Sequence, residues 1–194
     1  GNVAFISQSG ALADSIIDWA VENKYSFSLI ASLGNSATLD ASDFLEWCAQ
    51  DENTKSIALY LEGIKDGRKF MKIASEVSKT KPIVLLKGGK TSQGVKAAGS
   101  HTGSLVGNYN IWKAAAKQSG IVLANTLKEL FEMAEALSEQ PRTAKSAVAT
   151  ITSGGGAGVL TADYCQEAGL NAVEFKEETL KRLDETNVMH PAYS

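Results

Sequence analysis

Short apolar runs alternate with segments of helical periodicity along the first 140 residues of the chain. Such runs, bounded by polar or glycine-rich positions, are typical of buried strands, whereas apolar residues three or four positions apart are typical of helices. This pattern predicts strands at residues 3–6, 27–32, 57–61, 82–87 and 121–124. A segment with helical spacing follows each strand, and Ser7–Gly10 is the first strand-to-helix turn.

Two helix starts have clear capping signals. Asp40 precedes an apolar periodic segment and is a predicted N-cap, while Thr126 and Glu129 have the spacing of a capping box. Five strands alternating with helices predict an α/β fold, a doubly wound parallel sheet with helices on both faces. The flavodoxin-like strand order 2-1-3-4-5 is the simplest expectation.

A second unit is predicted after a polar, proline-containing linker at residues 141–145. It has apolar runs at 147–152 and 172–175, a glycine-rich turn at 153–158, and helical segments near 159–168 and 178–184. Two strands are too few for an independent doubly wound domain. We therefore predict a flavodoxin-like domain at residues 1–140 and the truncated N-terminal part of a second one at residues 141–194, as expected for a piece of a longer protein.

Composition narrows the function classes. The 194 residues have a net charge of -3, so no basic surplus favours nucleic acid or an anionic membrane surface. No apolar run approaches the roughly 18 residues of a membrane span, and no signal-peptide pattern is present, so we expect a cytoplasmic protein. Cys48 and Cys165 are far apart, which argues against a zinc site or a redox pair. Both are expected to be buried in helices, and no metal site is predicted.

His101 is one of only two histidines and lies among glycine, serine and threonine residues. Its imidazole is therefore either solvated without a role or held for chemistry. In sheets of this order, ligands bind beyond the carboxyl ends of the strands, where the Ser7–Gly10 turn, Glu62 and the His101 loop should meet. Glu62 is either an ordinary solvated carboxylate or the partner that fixes the imidazole tautomer and leaves the other ring nitrogen nucleophilic.

Two strand-to-helix turns rich in small residues are candidate phosphate sites, because free backbone N–H groups and the helix dipole favour anions at a helix N-terminus. Alternatively, each turn is merely tight. Neither turn has the complete dinucleotide-binding fingerprint. Residues 89–91 (GKT) are similar to the end of a Walker A loop, but Val84 occupies the position of its first glycine. A nucleophilic histidine beside such helix ends predicts a phosphohistidine site. The candidate phosphate-binding residues are Ser7, Ser9, Gly10, Gly154, Gly155, Gly156 and Ala157.

Four segments, in this order, resemble the nucleoside-diphosphate-forming acyl-CoA synthetases, relatives of succinyl-CoA synthetase that include the ADP-forming acetate-CoA ligases. They are residues 7–12 (SQSGAL), 62–64 (EGI), 100–104 (SHTGS) and 152–159 (TSGGGAGV). The resemblance implies that His101 is phosphorylated, that Glu62 orients it, and that the helices after the two glycine-containing turns hold the phosphoryl group.

The resemblance also implies a reaction, its cofactors and its partners. Acyl-CoA, phosphate and ADP would be converted reversibly into a carboxylic acid, CoA and ATP, with Mg2+ accompanying the nucleotide. The CoA-binding and ATP-grasp domains of the family would lie outside this chain, in an oligomeric assembly, so the isolated chain is expected to be inactive. None of these cofactors would be held fully by this chain.

Two alternatives belong to other function classes. One is a non-catalytic ligand-sensing region of a synthetase-like protein lysine acetyltransferase, which would not need both His101 and Glu62. The other is a flavodoxin-like FMN carrier, in which the Ser7–Gly10 turn would bind the FMN phosphate. A flavin protein would be coloured, and His101 and the second glycine-rich turn would have no role in it.

Overall fold

The computed structural model describes residues 1–96, 108–141, 143 and 145–186. The chain forms two units, Gly1–Pro141 and Arg142–Ser194. Within the described residues, no helix combines the length and apolar character needed to cross a membrane.

The first unit is a five-stranded parallel sheet in the order β2-β1-β3-β4-β5, with helices on both faces. This confirms the predicted fold class and strand order. The strands are β1 (Val3–Ser7), β2 (Phe27–Ser32), β3 (Ser56–Leu61), β4 (Ile83–Lys87) and β5 (Ile121–Ala124). Its helices include α1 (Gly10–Asn23), α2 (Ala41–Gln50), α3 (Gly67–Val77), α4 (Tyr109–Gln118) and α5 (Leu127–Glu139).

The core lies on both sides of this sheet, because successive strand residues point to opposite faces. Ile57 and Leu59 of β3 pack on the face covered by α2, α3 and α4, whereas Ala58 packs on the opposite face with α1 and α5. All three residues are fully buried. Cys48 of α2 also lies in the core, as predicted. Burial on both faces explains why the strands read as continuous apolar runs.

The predicted helix caps are present, with one difference. Asp40 caps α2 by accepting from Ser42 N at 2.8 Å and Asp43 N at 3.2 Å, and the Asp43 carboxylate accepts in return from Asp40 N. Thr126 Oγ1 likewise accepts from Glu129 N at 3.1 Å. The Glu129 carboxylate, however, accepts from Asn125 N, one residue before the cap. The prediction that Thr126 N donates this reciprocal bond is therefore wrong.

In its described residues, the second unit has two strands, β6 (Ala147–Val148) and β7 (Asn171–Ala172), which pair in parallel, and two helices, α6 (Gly155–Glu167) and α7 (Glu177–Glu185). The strands are shorter than the predicted 147–152 and 172–175, because they pair only with each other, over two residues each. Helix α6 begins four residues before the apolar periodicity indicated. Cys165 is buried within α6, as predicted.

Candidate functional site

The turn after β1 meets the turn after β3 through the side chain of Gln8. Gln8 Oε1 accepts from Glu62 N at 2.6 Å and from Gly63 N at 3.0 Å, and its Nε2 donates to Gly63 O at 2.8 Å. The backbone N–H of Gln8 also donates to Tyr60 O at 3.0 Å. The structure thus brings the Ser7–Gly10 turn and Glu62 together at the carboxyl edge of the sheet. His101, the third predicted member of this group, lies outside the described residues.

The Ser7–Gly10 turn is shaped by its two serine side chains. Ser7 is fully buried, and its Oγ donates to Ser9 O at 2.8 Å and accepts from Ser9 N at 3.0 Å. Ser9 is the N-cap of α1, with its Oγ accepting from Leu12 N at 3.3 Å. The amides of Gly10 and Ala11 have no acceptor among the described residues. The helix start therefore presents backbone N–H groups that an anion could accept.

Glu62 has one carboxylate oxygen without a partner. The residue is only 8% exposed, and its Oε1 accepts from the Tyr60 hydroxyl at 3.3 Å. Its buried Oε2 has no hydrogen-bond partner in the described part of the chain. Leaving a buried carboxylate oxygen unpaired is costly, so this atom points to a donor that the described residues do not supply.

Gly88, directly after β4, allows the Glu62 and Tyr60 side chains to occupy this edge. A Cβ at Gly88 would lie 2.7 Å from the Tyr60 hydroxyl and 3.2 Å from Glu62 Cγ. The Gly88 amide donates to Leu61 O at 2.9 Å, which fixes the backbone there. Burial, with a contribution from the nearby Glu62 charge, raises the pKa of Tyr60, so its hydroxyl remains a donor. Any side chain at position 88 would displace this pair.

Replacing Gly88 with alanine is expected to lower the free energy of unfolding of the first unit by roughly 1–3 kcal/mol, the usual cost of overpacking. The matched control is Gly67→Ala, since a Cβ there meets no atom within 4 Å, and no destabilisation is expected. Urea unfolding can be followed by tryptophan fluorescence, because all three tryptophans lie in the first unit. Equal unfolding midpoints for Gly88→Ala and the unmodified chain would contradict the close packing described here.

Lys87, the last residue of β4, is a buried cation at the same edge. It is 1% exposed, its ammonium donates to Gly88 O, and Nζ lies 5.2 Å from the ring centre of Trp112. Burial lowers the pKa of Lys87 to about 8, against the opposing influence of the Glu62 charge. No carboxylate oxygen among the described residues lies within 4.0 Å of its ammonium.

The glycine-rich turn of the second unit opens α6. Gly154 is the N-cap, and its carbonyl and amide both bond to the Thr152 hydroxyl, at 3.2 and 3.1 Å. A Cβ at Gly154, Gly155 or Gly156 would meet no atom within 4 Å, so the helix start is open. The Ala157 amide donates to Gly154 O at 3.1 Å, which leaves the amides of Gly155 and Gly156 as the better anion donors of this turn.

In residues 1–96, 108–141, 143 and 145–186, no three His, Cys, Asp or Glu side chains are grouped so as to hold a metal ion.

Three residues of the first-unit edge were not assigned a role from the sequence. Gln8 was only part of a motif, although an amide between two serines after a strand is a possible signal of a bridging side chain. Lys87 was detectable as a lysine at the end of an otherwise apolar strand. Gly88 is one of several glycines in a loop. What distinguishes it is the lack of space for a Cβ beside Tyr60 and Glu62, which the sequence does not show.

The known proteins to which this chain is similar are CoA ligases. The family described as "Succinyl-CoA ligase like flavodoxin domain" matches residues 1–137. The chain is 45% identical over 185 residues to the ADP-forming acetate-CoA ligase I of Archaeoglobus fulgidus, covering 95% of this chain and 27% of that protein. It is 48% identical over 183 residues to the alpha subunit of the ADP-forming acetate-CoA ligase II of Pyrococcus furiosus, covering 94% and 40%.

A solved structure is similar across the whole chain. It is the acetyl-coenzyme A synthetase 1 of Ca. Korarchaeum cryptofilum, described as dinucleotide-forming and in complex with phosphate and ADP, with a TM-score of 0.90 and 40% identity. The match covers 100% of this chain and 42% of that one. The chain therefore spans less than half the length of these relatives. The chain belongs to the family of succinyl-CoA ligase-like flavodoxin domains.

Proposed function

We propose that this chain is the phosphohistidine-carrying part of an ADP-forming acyl-CoA synthetase of the acetate-CoA ligase type. In the first step, phosphate attacks the thioester of acyl-CoA, giving an acyl phosphate and releasing CoA. A nitrogen of His101 then takes the phosphoryl group, so that a P–N bond forms, the P–O bond to the acyl group breaks and the carboxylate leaves. Finally ADP accepts the phosphoryl group, giving ATP and free His101. Every step is reversible.

The observation that carries this proposal is the unpaired, buried Oε2 of Glu62. An imidazole N–H donating to this oxygen would satisfy it and would leave the second ring nitrogen with its lone pair for attack on phosphorus. Gln8 fixes the backbone on which Glu62 sits, and the free amides at the start of α1 would stabilise charge on the transferred group.

The substrates and partners of the whole protein are part of the proposal. The names of the relatives support ADP and acetate-CoA chemistry, and the chain spans only part of those proteins. We propose that CoA and the Mg2+ nucleotide are bound mainly by CoA-binding and ATP-grasp domains or subunits beyond this chain. The second glycine-rich turn, with its exposed Gly155 and Gly156, would receive the phosphoryl group at another stage of the cycle.

Phosphorylation of the full-length protein tests the proposal. Incubation with Mg2+ and ATP labelled at the γ-phosphate is expected to give a protein-bound label that is lost in acid and kept in base, as a phosphoramidate is. Peptide mapping is expected to assign it to His101, and added ADP is expected to remove it as ATP. A protein that takes up no label would overturn the proposal and favour the ligand-sensing alternative.

A further inference from the structure

Lys87 is a fully buried charged residue at this edge, and the proposed cycle does not use its chemistry. Lysines are rarely fully buried unless they are paired, yet Lys87 is 1% exposed and has no carboxylate oxygen within 4.0 Å in the described part of the chain. Its desolvation must therefore be offset by other contacts. These contacts show what the ammonium holds in place.

The Lys87 ammonium has two contacts, which in the sequence come before and after the segment that carries His101, residues 88–108. On one side it donates to Gly88 O, at the start of that segment. On the other side it lies 5.2 Å from the ring centre of Trp112, in the first turns of α4, the helix that begins after the segment. A cation over the face of an indole is attracted by the ring quadrupole. One charged group thus bridges both ends of the segment.

The same cation lies beside the strand end that carries Glu62. In the parallel pairing of β3 with β4, Lys87 is opposite Leu61, the residue before Glu62. The Gly88 amide donates to Leu61 O at 2.9 Å, so Gly88 is bonded to β3 through its amide and to Lys87 through its carbonyl. Movement of the Lys87 side chain would therefore be transmitted to the backbone next to Glu62.

We propose that Lys87 is a positioning residue for phosphoryl transfer, whose buried ammonium joins the two ends of the His101 segment and fixes them against the strand end that bears Glu62. The inference rests on the proposed function and deepens it. Lys87 does not touch the reacting atoms in this scheme. It acts through its contacts with Gly88 and Trp112.

The charge of Lys87 gives the proposal a pH signature. With a pKa of about 8, the ammonium is charged below that pH and becomes a neutral amine above it. Among the described residues, Glu62 after β3 is the charged group that acts on it, Tyr60 is bonded to that carboxylate, and α4 contributes the uncharged Trp112. Tyr60 has a raised pKa and stays neutral in this range. Phosphorylation of His101 should therefore slow as the pH rises through about 8.

The test compares the full-length protein with its Lys87→Met, Lys87→Arg and Lys113→Met variants, by rapid-quench measurement of label uptake from ATP between pH 6 and 10. Lys87→Met is expected to slow labelling by about tenfold or more, equivalent to about 1.4 kcal/mol, and to remove the fall near pH 8. Lys87→Arg should restore part of the rate and abolish the fall, because arginine stays charged. Lys113, exposed and 5.5 Å from the ring centre of Tyr109, is the matched control and should behave as wild type.

Amide hydrogen exchange at Gly88 provides a readout that does not depend on activity. Lys87→Met should lower the protection of the Gly88 amide about tenfold, whereas Lys113→Met should leave it unchanged. If the unmodified protein takes up no label, the proposed function fails and exchange alone decides the role of Lys87. Wild-type labelling and protection in Lys87→Met, or an unchanged fall near pH 8 in Lys87→Arg, would overturn the inference.

Discussion

Replacing His101 with alanine is expected to abolish phosphorylation of the full-length protein, with label uptake reduced by at least about a thousandfold, as for other removed nucleophiles. The scheme has a single covalent carrier, and no other imidazole lies in its segment. Net turnover of acyl-CoA, phosphate and ADP should be lost with the label. Quantitative labelling from ATP, followed by an acid-lability assay, measures the first effect directly.

The other histidine of the chain supplies the matched control. His190, near the end of the sequence beside Pro191, has no assigned role and lies outside the described residues. His190→Ala should take up label at the wild-type rate. Acid-labile label that persists in His101→Ala would show that another residue carries the phosphoryl group, and tryptophan fluorescence would verify that the first unit of the variant is folded.

The arrangement of the first unit was predictable because its strands are buried on both faces. Each strand is then a short apolar run, and the helix between two strands has a clear period, so the order of elements leads to one simple topology. Topology in turn brought Glu62 and the Ser7–Gly10 turn to one edge. That step needed no knowledge of side-chain contacts, since the carboxyl ends of parallel strands always share an edge.

Side-chain connections at that edge were not predictable in the same way. The three hydrogen bonds between the Gln8 side chain and the backbone of Glu62 and Gly63 join residues more than 50 positions apart, and no local pattern encodes such a pairing. Gly88 has no unusual backbone angle among the described residues, and its role depends on two side chains from a neighbouring strand. The sequence indicates that Lys87 is the polar end of a strand, whereas tertiary packing buries it.

In the second unit, the sequence pattern predicted the extents of the elements less well than in the first. Its apolar runs at residues 147–152 and 172–175 have strand character, but a strand forms only where a neighbour supplies hydrogen bonds, and β6 and β7 pair over two residues each. The helix start was misplaced because Gly155 and Gly156 give no apolar periodicity, although their backbones adopt helical geometry. Local composition therefore predicted which elements exist, but not how far the strands extend or where α6 begins.

Replacing Glu62 with glutamine is expected to slow phosphoryl transfer to His101 by about 10²–10³-fold, within the range for groups that act through acid-base and electrostatic effects. Glutamine has nearly the same shape and can still accept from the Tyr60 hydroxyl through its amide oxygen. It places an NH2 donor where Oε2 now lies, so an imidazole N–H would lose its acceptor. The affinity for ATP should change little, because Glu62 would contact the histidine and not the nucleotide, and rapid-quench labelling at several ATP concentrations separates the two effects.

Stability should change little in this variant. Glutamine keeps the shape of the side chain and the bond from the Tyr60 hydroxyl, and it exchanges an oxygen that has no partner in the described residues for an NH2 group at the same place. The free energy of unfolding of Glu62→Gln is therefore expected to lie within roughly 1 kcal/mol of wild type in urea unfolding. Slow labelling in a fully folded variant would assign the loss to the chemistry of the site. Wild-type labelling in Glu62→Gln, with none in His101→Ala, would remove Glu62 from the mechanism while leaving the phosphohistidine in place.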